Sequence, residues 1–127
     1  MEKPVKEERS IEEHIEEKIA ESEKIRALIR QRIEDSAMAT SAYDRAIAVT
    51  MIRLGAGEVL QIEDGDKTYA TGKVIASNMD KLARGICWSE RLAMETAEGL
   101  LKSALKNLES VGNEMTAWQS IAKSTKG

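Results

Sequence analysis

The chain has 127 residues, enough for one domain, and 32% of them are charged. The net charge of −3 and the pI of about 5.3 give no overall positive field of the kind that supplies non-specific affinity for nucleic acid. A single cysteine excludes an intramolecular disulfide, and no apolar run has the length of a signal peptide or a membrane span. We therefore expect a cytoplasmic protein, in the producing cell or in an infected host, with no membrane partner.

A long first helix is predicted near the N-terminus. Residues 1–9 are charged and lack apolar periodicity, so we interpret them as a flexible end. Ser10 and Glu13 have the spacing of a capping box, which marks a helix start. Apolar residues then recur every three or four positions, which predicts a helix over about residues 10–54. They are Ile11, Ile15, Ile19, Ile25, Ile29, Ile33, Ala37, Tyr43, Ile47, Met51 and Leu54.

The second half of this helix carries more apolar residues than one face requires. Beyond the periodic positions, it also contains Met38, Ala42, Val49 and Ile52. We expect burial from more than one side there. The glycines of the segment 55–57 should then end the helix, because a glycine after the last periodic residue is the usual left-handed terminator.

The connection at about residues 55–72 has a different character. Val59–Ile62 and Lys67–Ala70 are short runs with β-forming residues, and an Asp-Gly turn lies between them. This pattern predicts a small β-hairpin. Since an isolated hairpin is only marginally stable, it should pack on the helices or pair with another chain.

A second long helical region is predicted over about residues 73–124. Ser77 and Asp80 resemble a capping box, and Gly112 with Asn113 marks a position where the helix either breaks or continues. The apolar stripe of this region consists of Met79, Ala83, Ile86, Ala93, Ala97, Leu101, Ala104, Leu108, Val111, Met115, Trp118 and Ala122. We expect this stripe to face the core.

Four further apolar residues of the second region lie away from the main stripe: Trp88, Leu92, Leu105 and Ile121. Apolar residues on two sides of a helix favour a partner on each side. The predicted fold is therefore all-α, a long antiparallel helical hairpin with a short β-hairpin in the connection. A single domain over residues 10–127, assembled into a helical-bundle homo-oligomer, is the expected architecture.

The sequence contains few groups suited to catalysis. His14 is the only histidine, and among its acidic neighbours we expect a solvated side chain. Cys87 has no histidine nearby in sequence, which favours a half-buried structural thiol over a nucleophile. The acidic turn Glu63–Asp66 lacks the alternating ligands of a calcium loop. We predict no enzymatic activity, cofactor or metal.

Charge is segregated along the first helix. Glutamates that include Glu12 and Glu16 occupy its start, and Lys24, Arg26 and Arg30 follow. Such blocks suit antiparallel self-pairing or an acidic surface for a basic partner, and a plain solvated face is the alternative. Glu12 and Glu16 therefore join Trp88, Leu92, Leu105 and Ile121 as candidates for partner binding.

A binding site for an anion is a second possibility. Arg84 and Arg91, with the rings of Tyr69 and Trp88, could hold a nucleotide-like ligand at an oligomer interface. The same groups could stack on bases of a single strand, as in proteins of phage recombination. Interspersed acids interrupt the basic residues, so nucleic-acid binding is not favoured.

The segments DKLARG (Asp80–Gly85) and AEGLLKSAL (Ala97–Leu105) resemble elements of small bacteriophage proteins from the early or replication region. The resemblance extends over about residues 43–121. It implies a phage setting and a small accessory protein that acts by binding, with no catalytic residues to transfer. We therefore expect a non-enzymatic protein that binds and modulates a host protein of defence or nucleic-acid processing.

Overall fold

The structure, a computed structural model, describes residues 10–126 and is mostly helical. The elements in chain order are α1 (Ile11–Gly55), β1 (Gln61–Asp64), β2 (Lys67–Ala70), α2 (Ala76–Ile86) and α3 (Trp88–Lys126). The two predicted helical regions and the β-hairpin between them are therefore confirmed. The predicted flexible segment 1–9 lies outside the described residues.

The fold divides into two compact units. One combines the chain up to Arg32 with the chain from Leu100 onward, and the other is Ile33–Gly99. We call them the terminal unit and the central unit. Each contains its own cluster of buried apolar side chains.

In the terminal unit, α1 and α3 pack together in antiparallel orientation. His14 contacts Trp118 and, one turn later, Lys18 contacts Glu114, so α1 and α3 advance in opposite directions. The core consists of Ile25, Ile29, Ala104 and Val111, with Leu101 and Leu108 packed against it. These residues belong to the two predicted apolar stripes. The predicted antiparallel packing of the two long helices is therefore confirmed in this unit.

The start of α1 follows its sequence, but its buried face departs from the predicted stripe further along. The Ser10 hydroxyl accepts a hydrogen bond from the Glu13 amide at 3.1 Å, as the capping box requires. Ile19 is exposed, and so are Ile33 and Ala37 further along α1. The more buried positions in that stretch belong to Arg32, Asp35, Ser36, Ala39 and Thr40. The stripe prediction is wrong there because each four-residue spacing drifts by about 40° around a helix of 3.6 residues per turn, which carries Ile33 and Ala37 off the face of Ile25 and Ile29.

The end of α1 is a Schellman motif centred on Gly57. The Glu58 amide donates to the Arg53 carbonyl at 3.1 Å, the Gly57 amide donates to the Leu54 carbonyl at 3.0 Å, and Gly57 has φ of +85°. An ion pair of 3.0 Å joins the side chains of Arg53 and Glu58, in place of the usual apolar contact. Gly57, rather than Gly55, is thus the left-handed terminator.

Replacing Gly57 by alanine should lower the free energy of unfolding by about 1 kcal/mol, because a side chain disfavours positive φ. A new Cβ would meet no atom within 4 Å, so the effect is conformational. Gly72→Ala is the matched control: Gly72 also has open space, but its φ is outside the left-handed region. Urea unfolding of both variants measures the difference, and equal stability of the two would contradict this assignment.

The β-hairpin packs on α2. Its register pairs Asp64 with Lys67, so the loop has two residues, and Gly65 has φ of +65° as primed turns require. Thr71 closes the open end: its amide donates to the Leu60 carbonyl at 2.7 Å and its hydroxyl accepts from the Leu60 amide at 2.8 Å. Ile62 reaches α2 beside Gly85.

The second helical region contains a break that the sequence pattern did not predict. α2 ends at Ile86 and α3 begins at Trp88, with Cys87 between them at φ −93° and ψ 28°. At Gly112 and Asn113 the helix continues without interruption. α2 also begins before the predicted capping residue Ser77. Ile75 occupies the N-cap position and makes no side-chain capping bond, so Ser77 lies within the first turn.

The core of the central unit lies where α1, the hairpin and α2 meet. Leu54, Leu60 and Ala83 are buried at its centre, and Ile47, Met51, Val74, Met79, Leu82 and Ile86 pack against them. Every member of the predicted second stripe is buried or half-buried except Ala93. The sequence therefore identified the inward face of α2 and α3 despite the break between them.

Candidate partner-binding surfaces

An exposed aromatic and aliphatic pair lies at the start of α3. Trp88 is 52% exposed and Leu92 is 55% exposed. They are four residues apart and so are neighbours on one helix face, while the buried Ala97 lies on the opposite face. An ion pair of 3.0 Å between Arg91 and Glu95 lies beside them. We call Trp88 and Leu92 the α3 patch: an apolar surface with a charged rim, as binding sites for proteins often have.

The other four predicted partner-binding residues belong to the terminal unit. Leu105 and Ile121 are both exposed, and Ile121 also lines a shallow depression with Ser120, Ser124 and Thr125. Glu12 and Glu16 are exposed in the first turns of α1. All six candidates are therefore accessible in the described chain, although they are distributed over both units.

A groove runs along the outward face of α1 in the central unit. It has a volume of about 730 Å³. Its lining residues are Ala37, Met38, Ser41, Ala42, Arg45, Ala46 and Val49 of α1, with Glu90 of α3. We call it the α1 groove. The sequence signalled it as the excess of apolar residues in this half of α1, and it is open in the single chain.

The predicted ligand-binding arginines are both engaged in ion pairs within their own helices. Arg84 contacts Asp80 at 3.1 Å and Arg91 contacts Glu95 at 3.0 Å. Tyr69 is the cross-strand partner of Ile62, so its ring lies on the hairpin face that contacts α2. The carboxylates offset the positive charge that an anion would need. Binding of a nucleotide or a single strand here stays a prediction.

The terminal unit contains a pair of ring side chains that the sequence pattern did not reveal. The rings of His14 and Trp118 are stacked, with centroids 4.0 Å apart and an interplanar angle of 4°. The expectation of a solvated histidine is therefore wrong, since His14 is half-buried against the indole. No local signal could have found this pair, because its members lie near opposite ends of the chain.

One turn along α1, Lys18 lies between two carboxylates. Its ammonium contacts Glu114 at 2.5 Å and Glu21 at 3.3 Å. The hydrogen bond to Glu114 is the main cause that raises the pKa of Lys18 above its usual 10.5, and the bond to Glu21 adds to it. The contact with Glu114 joins α1 to α3 within the terminal unit.

This raised pKa predicts the sign of a pH effect. A charged Lys18 is favoured in the folded chain, so its contribution to stability is complete below pH 10.5 and is lost as the pH rises through the folded-state pKa. Stability of the wild type should therefore fall more than that of Lys18→Met between about pH 8 and about pH 11.5. Urea titrations across this range measure the difference, and parallel pH profiles would contradict it.

The junction of α2 and α3 is held by a buried polar contact. The Thr50 hydroxyl and the Cys87 thiol are 3.2 Å apart, and both residues are buried. Cys87 is thus more deeply buried than the half-buried thiol we expected. This contact joins α1 to the interruption between the other two helices and gives Thr50 a partner on the inward face.

Comparison of the chain with protein-family models, with curated proteins and with solved structures finds no significant match. Over residues 10–126, no helix combines the length and the apolar character needed to cross a bilayer. Within the same range, no three His, Cys, Asp or Glu side chains come together in a way that could hold a metal ion.

Proposed function

We propose that the protein is a non-enzymatic accessory protein of a bacteriophage, which binds and modulates a host protein of defence or nucleic-acid processing. The α3 patch is the surface assigned to this partner. The observation that carries the proposal is the exposure of Trp88 and Leu92 side by side on the outward face of α3. The exposed site supports a function through binding, and the resemblance of Asp80–Gly85 and Ala97–Leu105 to small phage proteins supports the phage setting.

The α3 patch has the composition that dominates binding energy in protein interfaces. Tryptophan is among the residues most enriched at energetic hot spots, and its indole brings a large apolar area with few rotatable bonds. Leu92 extends the apolar surface, and the ion pair of Arg91 with Glu95 supplies a polar rim. A partner that offers an apolar pocket for the indole, with polar groups around it, fits this surface.

The exposed glutamates at the start of α1 also favour a partner with an overall basic charge. Glu12 and Glu16 are exposed there, and further glutamates accompany them. Exposed like charges of this kind speed association with a basic surface more than they strengthen the final complex. Raising the salt concentration should therefore slow binding, while the apolar contact at Trp88 determines how long the complex lasts.

Trp88→Ala should weaken partner binding by at least about 2 kcal/mol, which is roughly 30-fold in Kd. The tagged protein is incubated with bacterial lysate, retained proteins are identified by mass spectrometry, and the candidate partner is purified for calorimetry. Trp88 is exposed and alanine favours helix, so the variant should keep its fold. Circular dichroism verifies this.

The double variant Leu105→Ala/Ile121→Ala is the matched control. Like Trp88→Ala, it removes exposed apolar surface from α3, but it does so at two positions in the terminal unit. Affinity should then stay close to that of the wild type. Loss of binding in this variant with retention in Trp88→Ala would move the partner site to the terminal unit. Retention of no host protein by the wild type would contradict the proposal itself.

A further inference from the structure

We propose that the α1 groove is the contact surface for a second copy of this chain, which docks antiparallel to the first about a two-fold axis. The groove shares no residue with the α3 patch. Self-association through the groove therefore leaves Trp88 and Leu92 available, and it goes beyond the proposed function.

The outward face of α1 carries an apolar stripe of its own. Met38, Val49 and Ile52 lie within a narrow angular range at about 100° per residue, whereas the buried Leu54 lies on the opposite side of the helix. Met38 is 70% exposed and Ile52 is 71% exposed. Met38 and Ile52 are separated by fourteen residues, two heptads, and Arg45 lies midway between them on the same face. One helix therefore has a core face and a second face suited to another helix.

The groove carries a large apolar side chain near each of its two ends. These are Met38 and Val49, and Ser41, Ala42, Arg45 and Ala46 lie between them. An antiparallel copy would place Met38 of one chain beside Val49 of the other, twice. In that register Ala42 of one copy lies opposite Arg45 of the other, and Ser41 lies opposite Ala46, so each arginine crosses a small residue while the apolar ends meet each other.

The charges of the groove support the same arrangement. It is lined by one guanidinium, Arg45, and one carboxylate, Glu90. Arg45 is exposed, while Glu90 is half-buried and accepts a hydrogen bond from the Ser89 hydroxyl at 3.1 Å. A two-fold interface doubles each group, so that Arg45 of each copy can face Glu90 of the other. A patch with one charge of each sign is neutral toward its own copy and repels neither half.

A charge-reversal experiment tests this pairing. Wild type, R45E, E90R and an equimolar mixture of the two variants are measured by sedimentation velocity over a concentration series. Wild type should reach twice the chain mass of 14.0 kDa. Each variant alone places like charges across the interface and should dimerise at least about 10-fold more weakly. In the mixture, the carboxylate that R45E introduces faces the guanidinium that E90R introduces. The Arg45 that E90R retains faces the Glu90 that R45E retains, so dimers should form again.

Recovery on mixing is informative because it cannot arise within one chain. Inside each single variant the two groups have like charge, and only contacts between the two different copies are attractive. K106E is the control, since Lys106 is exposed on α3 in the terminal unit and its reversal should leave dimerisation unchanged. Circular dichroism tests that all variants are folded. A monomeric wild type at all concentrations, or variants that stay apart when mixed, would overturn the proposal.

Discussion

Leu54→Ala is expected to lower the free energy of unfolding by about 2 to 5 kcal/mol. Leu54 is 4% exposed at the centre of the central unit, where it meets Leu60 and Ala83. Truncation removes apolar surface from the core and leaves a cavity that neighbours fill only in part. Since domains of this size are stable by about 5 to 15 kcal/mol, the change removes a large share of the total.

Urea unfolding measures this loss, and amide hydrogen exchange locates it. Exchange should accelerate among the amides of Ile33–Gly99. Val59→Ala is the control, because Val59 is exposed and its truncation should change stability by less than about 0.5 kcal/mol. Equal stability of the two variants would contradict the position of Leu54 in the core.

Val111→Asp should be the most damaging single substitution in the terminal unit. Val111 is 2% exposed and packs in the cluster with Ile25, Ile29 and Ala104. A carboxylate there has no cationic partner among the four cluster residues, so it must be buried unpaired or protonated. We expect a loss of at least about 3 kcal/mol in the free energy of unfolding.

The neighbouring substitution Ser110→Asp introduces the same charge one residue earlier in α3. Ser110 is exposed, so its carboxylate stays in water and stability should change by less than about 0.5 kcal/mol. Thermal unfolding of the two variants at neutral pH gives the comparison. If the Val111→Asp variant had the same melting temperature as the wild type, the Val111 side chain would not be buried in solution.

The sequence predicted those features that depend on local chemistry. The hydroxyl of Ser10 caps α1, the Gly-containing turn closes the hairpin, and the apolar period identified the buried face of α3. Each depends on residues a few positions apart, where helix or turn geometry determines which groups can meet. The exposure of Trp88, Leu92, Leu105 and Ile121 also agrees with their predicted positions off the buried face of α3.

Features that depend on distant residues were missed. Gly85 and Ile86 lower the helix propensity before Cys87 only modestly, and the break there coincides with a buried contact to Thr50, 37 positions earlier. At Gly112 the sequence allowed either a break or a continuous helix; a single glycine costs a helix only about 1 kcal/mol, which packing at Val111 offsets. The stack of His14 on Trp118 likewise depends on how α1 and α3 are paired, which no local pattern specifies.

The hairpin has a consequence for aggregation. A sheet of two strands has two open edges, and open edges invite pairing with other chains. Here each strand has only four residues, and Glu63, Asp64 and Lys67 place charges along them. Short length and charge are the means by which proteins protect such edges. Concentrated solutions of this protein should therefore resist growth of intermolecular β-structure, and contacts between copies should form through helices.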